Sequence, residues 1–296
     1  MGLCFVVLQL LRMFIGTVGV ALIEFLCHSG PLKPHDRKKL ASHVWYGWYY
    51  TVILAWGAWL FFDVTSWASD MSAVCTWEAI GTSFGTWRSL HIYHCIQVAF
   101  YINYLFAMAM GIDVRRKDWK AFAVHHAITL LLILFSRNWG YLRMQLAMLV
   151  LHDAADPWLF YAKAIQLARS RWSVMPDLFM VLFALVFLLT RWFLFPVFLV
   201  ASCRDGWCRS YPSDWTRIHP DIWFAVENDQ VVLAGIAISY YGLSMLLLYA
   251  LQALHAFWGL RILALAHRKF VVGDAGPSGT GDDDSDDEQQ HSKKTQ

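Results

Sequence analysis

The sequence predicts an all-α, polytopic membrane protein with about seven transmembrane helices. Three observations carry that prediction. Of the 296 residues, 58% are hydrophobic and 16% charged, where soluble domains average about 45–50% and about 25%. The excess is gathered in blocks long enough to cross a hydrocarbon core of about 30 Å. Lysine and arginine fall in alternate loops between those blocks, as they do when charge orients helices in a bilayer.

The blocks are 3–26, 44–62, 92–112, 119–136, 141–165, 178–201 and 231–262. The first has an apolar run too long for a signal-peptide core and no clear small-residue cleavage site, so it reads as a retained anchor. Segment 27–43 carries Lys33, Arg37, Lys38 and Lys39; 113–120 carries Arg115, Arg116, Lys117 and Lys120; 166–177 carries Arg169 and Arg171; Arg268 and Lys269 follow the last block. These loops share one side, which the positive-inside rule makes cytosolic, so the N-terminus is expected in the lumen and the C-terminus in the cytosol. In the opposite loop 202–230, Cys203 and Cys208 bracket a polar turn, and a disulfide is permitted there if the loop is lumenal. A nucleic-acid role is disfavoured because no basic patch lies on a soluble domain. The last 26 residues have a net charge of −5 and leave +7 on the rest. This Gly-, Ser- and Asp-rich tail is expected to be disordered. In it Ser285 precedes Asp286, Asp287 and Glu288, which suits an acid-directed kinase, and Lys293-Lys294 resembles a dilysine endoplasmic-reticulum retrieval signal.

Polar groups at hydrocarbon depth are expensive and usually face a bundle interior or cavity. The fourth block holds His125 and His126; the fifth holds His152, Asp153 and Asp156. Helical phase puts Asp118, His125, Thr129 and Ser136 on one face of the fourth, at spacings of 7, 4 and 7. Gln145, His152, Asp156 and Lys163 fall on one face of the fifth at the same spacings. His126 and Asp153 lie about 100° off those stripes. Consecutive antiparallel helices should turn the stripes toward each other, bringing His125 opposite Asp156 in a cavity open to the cytosol. Pro157 removes a helical hydrogen bond and predicts a kink beside Asp156. A histidine beside a carboxylate serves as general base or as an activated nucleophile. The bland alternative is an interhelical hydrogen-bond network, but three histidines and two aspartates in adjacent spans favour function. A metal site is the chemical rival. His91 and His94 have ligand-like spacing, yet no H-x-x-H-H box exists, so no metal is expected and those two read as lumenal interfacial residues. Arg115, Arg116, Lys117, Lys163, Arg169 and Arg171 at the cytosolic mouth fit the phosphates of a polyanionic cofactor such as coenzyme A.

The ordered run Asp113 to Asp118, His125-His126, Ser136, Arg143, His152-Asp153, Asp156 and Lys163 resembles the Lag motif of ceramide synthases, within the TRAM-Lag1-CLN8 (TLC) domain. Thr190-Arg191 with Pro196, and the run Leu251 to Trp258, resemble the family's later spans. The resemblance implies an anchor and basic loop over 1–35, a TLC domain over 36–269 with its Lag motif at 113–163, and an acidic tail over 270–296. Six of the seven helices would form a bundle around a central cavity. It also implies acyl transfer from fatty acyl-CoA, a co-substrate rather than a resident cofactor, to a sphingoid base in the endoplasmic-reticulum membrane. His125, His126, His152, Asp153 and Asp156 would be the essential residues. Membrane lipids and a homo- or hetero-dimeric partner are compatible with it; a non-catalytic lipid-binding or sensing member is the alternative. Gln97 and Phe160 stand where many members carry Glu.

Overall fold

The computed structural model describes residues 2–27, 32–64, 84–113, 118–138, 142–168, 174–197, 230–233, 236–268 and 271. The helices are α1 (Gly2–Cys27), α2 (Pro34–Trp59), α3 (Phe84–Ala109), α4 (Trp119–Asn138), α5 (Leu142–Asp153), α6 (Asp156–Leu167), α7 (Met175–Phe187) and α8 (Tyr240–His267). Wider π-helical turns continue α2 over Leu60–Val64 and α7 over Leu188–Leu194. A two-stranded antiparallel hairpin, β1 (Gln230–Leu233) and β2 (Ile236–Ser239), pairs Gln230 with Ser239 and precedes α8.

Among the described residues, five helices are long and apolar enough to cross a membrane: α1, α3, α4, α7 with its π continuation, and α8. The other two predicted spans correspond to α2, whose first turns carry Asp36, Arg37, Lys38 and Lys39, and to the α5–α6 pair. Large apolar side chains such as Leu10, Phe14, Phe193 and Leu260 face outward, as lipid-facing residues do. The protein is an all-α, multi-pass membrane protein apart from the short hairpin.

Two sequence expectations change. The fifth span is not one helix. It breaks at Ala154–Ala155, and α6 starts at Asp156 with Pro157 in its first turn, where the missing N–H is harmless and the fixed φ suits helix entry. The last span starts at Tyr240 rather than near 231, because the β-branched stretch before it pairs as strands.

The helices close on one another. α2 packs on α1, α6 and α5; α6 on α7; the π turns after α7 on α8; α8 on α4; and α4 on α3, which returns to α1. α5 sits inside that circuit, against α2, α4 and the π turns. Gln145, Leu146, Ala147, Met148 and Leu149 are therefore all buried. A helix buried on every side has no single inward stripe, so phase could not separate His152 from Asp153. The main core joins α2 and α3 through aromatic rings: Tyr49 and Phe100 stack at 3.5 Å, and Tyr46 and Tyr50 pack on Phe160 of α6 at 5.2 and 5.6 Å.

Candidate active site

Four elements deliver polar side chains to the interior. From α4 come His125 and His126, from α5 His152 and Asp153, from the π turns after α7 Arg191, and from α8 His255. All six are buried. His125 and His152 stack face to face, with ring centroids 4.7 Å apart and planes 16° apart. His255 closes the triangle, 6.1 Å from His125 and 5.4 Å from His152. The Trp258 indole meets His125 edge to face at 5.0 Å and donates to Asp118 Oδ2 at 3.3 Å.

His125 and His126 are adjacent and equally hidden, but they enter different surroundings. His126 stacks on Tyr104 at 4.1 Å, contacts Phe122 and Tyr101, and holds its Nδ1 2.8 Å from the Phe122 carbonyl. His125 faces the other histidines. The 100° step between consecutive helical residues turns one ring to the cluster and the other to an aromatic wall.

The carboxylates divide as well. Asp153 Oδ1 lies 3.4 Å from His152 Nδ1, and Gln97 Nε2 donates to Asp153 Oδ2 at 3.0 Å. Asp156, at the start of α6, accepts from Arg191 Nη2 at 2.7 Å. Arg191 also donates from Nε and Nη2 to the His152 carbonyl. That carbonyl lies at the C-terminal end of α5, where helical partners run out and a cation is favoured. The π turns after α7 place Arg191 there, and Thr190 ties back to the Val186 carbonyl at 2.8 Å. Asp156 is thus engaged by Arg191, while the ring against His125 is His152.

Arg191 and His255 were not singled out as site residues from the sequence, although both sit in segments that resembled the family. Each is a titratable side chain within an apolar span, the signal that marks intramembrane function. Attention to two consecutive spans missed them. Lys163 is buried rather than exposed at a mouth. His94 is buried too, with Gln145 Nε2 2.8 Å from its Nδ1; it is a core residue and not an interfacial one. His91 lies 3.7 Å from Cys95 Sγ. Arg115, Arg116, Lys117, Arg169, Arg171, Cys203, Cys208, Ser285, Lys293 and Lys294 lie outside the described residues.

His125, His152 and His255 each offer a ring nitrogen within 4.8 Å of the others, as do His152, Asp153 and Asp156 with their own ligand atoms. An ion held by two imidazoles lies in both ring planes. The near-parallel planes of His125 and His152 do not converge on a shared point, so one ring would have to turn to admit a metal.

Residues 39–264 match the TLC domain (TRAM, LAG1 and CLN8). This chain belongs to the TLC domain family. It is 33% identical to Ceramide synthase 4 of Bos taurus over 178 residues, 60% of this chain and 38% of that one. It is 25% identical to Sphingosine N-acyltransferase lac1 of Schizosaccharomyces pombe over 270 residues, 90% of this chain and 65% of that one. It is 28% identical to Ceramide synthase 3 of Homo sapiens over 236 residues, 80% of this chain and 53% of that one. The chain therefore spans between 38% and 65% of the length of these relatives. The TLC match takes in α3 to α7 and almost all of α2 and α8, and with them every member of the histidine cluster.

Proposed function

We propose that this TLC protein is a ceramide synthase, transferring a fatty acyl group from acyl-CoA to the amine of a sphingoid base to give ceramide or dihydroceramide. One observation carries the proposal. Among the described residues, His125 Nδ1, His152 Nε2 and both ring nitrogens of His255 are buried without a hydrogen-bond partner. Unpartnered atoms also occur singly, as at Asn103 Nδ2 and Gln145 Oε1; here they converge, three imidazoles with ring nitrogens within 4.8 Å of one another at the centre of the bundle. A neutral imidazole carries one lone-pair nitrogen, so the cluster concentrates base and nucleophile chemistry in one place. The similarity to a ceramide synthase and a sphingosine N-acyltransferase supports the same chemistry.

In this scheme a ring nitrogen of His125 attacks the thioester carbonyl, the carbon–sulfur bond breaks, and the departing thiolate takes the proton released by the other ring nitrogen. The sphingoid amine then attacks the acyl-imidazole. The amide bond replaces the acyl-imidazole bond, and a neighbouring base takes the amine's proton and passes it to the departing His125 ring, which regains its neutral form. If His125 is instead the base, the amine attacks the thioester directly. His152, stacked on His125, lies closest, with Asp153 behind it; Asp156 acts through Arg191, and His126 supports the wall. Arg115, Arg116, Lys117, Arg169 and Arg171 would meet the phosphates of coenzyme A; Lys163, buried in the bundle, would not. Residence in the endoplasmic reticulum, a lumenal N-terminus, a cytosolic C-terminus with Lys293-Lys294 as retrieval signal, and a homo- or hetero-dimer complete the proposal.

The test is acyl transfer by the full chain in membranes lacking endogenous ceramide synthase, with a panel of acyl-CoA lengths and two or three sphingoid bases. Product with at least one pair is expected, and His125→Ala at normal expression should lower it by about 100-fold or more. No product with any pair would leave the non-catalytic lipid-binding alternative standing.

A further inference from the structure

We propose that Gln97 is a positioning residue for the histidine cluster: held by Tyr49, its amide fixes Asp153 as an acceptor that sets the orientation of His152. The proposal deepens the acyl-transfer reading and rests on it.

Gln97 projects from α3 and is completely buried. Its amide is engaged at both ends. Nε2 donates to Asp153 Oδ2 at 3.0 Å and to Tyr93 Oη at 3.1 Å, and Oε1 accepts from Tyr49 Oη at 3.2 Å. A carboxylate only accepts, so the amide end facing it is the nitrogen, and the oxygen must turn to Tyr49. The tyrosine hydroxyls could serve either end of the amide, so the contact to Asp153 decides the assignment, and a flip would break it.

The consequence passes to α5. With an N–H on Oδ2, the free acceptor of Asp153 is Oδ1, which lies 3.4 Å from His152 Nδ1. The proton of His152 is then favoured on Nδ1, leaving a lone pair on Nε2. That nitrogen has no partner among the described residues and belongs to the ring stacked 4.7 Å from His125. The relay Tyr49–Gln97–Asp153–His152 thus crosses α2, α3 and α5 and ends on the base nearest the proposed nucleophile. An amide buried only for packing would carry a desolvation penalty that an apolar residue avoids.

Gln97 is itself neutral at every pH. The titratable and charged groups around its partner are Tyr49 and Tyr50 on α2, Tyr93 and Tyr101 on α3, His152 on α5, Asp156 on α6 and Arg191 beyond α7. Asp156 is held by Arg191, so Gln97→Glu keeps the shape but sets an uncompensated carboxyl against Asp153, and two such groups share one proton. The protonated acid still donates to Asp153; the ionised one does not.

The experiment measures kcat, KM for acyl-CoA and base, and the pH profile in membranes carrying the full chain. Gln97→Leu should lower kcat by about 100-fold, as a misplaced catalytic group does, with both KM values nearly unchanged. Gln97→Glu should be active at low pH and lose activity as pH rises, through an alkaline limb absent from the wild type. A packing role would produce no such limb. If either variant fails to accumulate, Tyr49→Phe replaces it, with a severalfold loss of kcat expected at unchanged KM. An active wild type beside a Gln97→Glu profile of wild-type shape, or beside full kcat in Gln97→Leu or Tyr49→Phe, overturns the relay alone. An inactive wild type sinks the acyl-transfer reading and the relay with it.

Discussion

Arg191 joins two parts of the site through one guanidinium, binding the Asp156 carboxylate and the His152 carbonyl at once. Its side chain is 6% exposed. Removing one partner of a buried ion pair strands the other, which typically costs about 3–5 kcal/mol, whereas removing both is far milder. Arg191→Met should therefore melt well below the wild type in detergent, and Arg191→Met with Asp156→Leu should recover much of the loss. Equal melting of the single and double variants would mean that the pair is not a unit. The same scale separates His125 from His126. Sequence phase had marked His125 as the more inward residue. The structure buries both, and distinguishes them by company: two further histidines and a tryptophan on one side, a tyrosine–phenylalanine wall on the other.

Among the elements, the break between α5 and α6 and the π turns after α7 are the irregularities that build the site. Pro157 announces the first in the sequence. Thr190 and Arg191 mark the second stretch as special, but nothing in it announces a wider turn, because an extra residue per turn leaves composition unchanged. α8 meets those turns closely. A Cβ on Gly259 would fall inside the indole of Trp192, whose Nε1 donates to the His255 carbonyl at 3.0 Å. Gly259→Ala should therefore destabilise the fold by about 1–3 kcal/mol, as overpacking does, and reduce acyl transfer with it. Trp192→Leu in the same chain should restore the melting temperature by making room. Glycine on a helix is legible as a weak spot in propensity; that it admits a tryptophan from another span is not.

For the whole molecule, α1 is held by apolar packing on α2 and α3 and by a polar tie at Asp113. Its carboxylate takes Arg12 of α1, the Ser42 hydroxyl at 2.7 Å and the Tyr46 hydroxyl at 2.6 Å, the last two from α2. α1 lies outside the TLC match, which starts at residue 39. Close approach of the two helices is eased by Gly16 opposite Ala41 and Gly19 opposite Val44. Arg12→Met should lower the melting temperature by several degrees, because Asp113 keeps a part-buried charge without its cation. Lys38→Met, which removes an exposed contact to the Gly111 carbonyl, should leave it unchanged.

The sequence by itself determined the membrane class, the order of the spans and the chemical character of the interior. Each follows from local quantities: apolar length, the side on which lysine and arginine fall, and ionisable groups placed where a bilayer penalises them. Only the tertiary structure decided which of those groups meet. His152, not Asp156, lies against His125; Arg191 takes Asp156; His255 and Gln97 come in from α8 and α3. A helical period records the angle of a side chain about its own axis. It carries no information about a neighbour from a distant span, or about a central helix that is buried on every side.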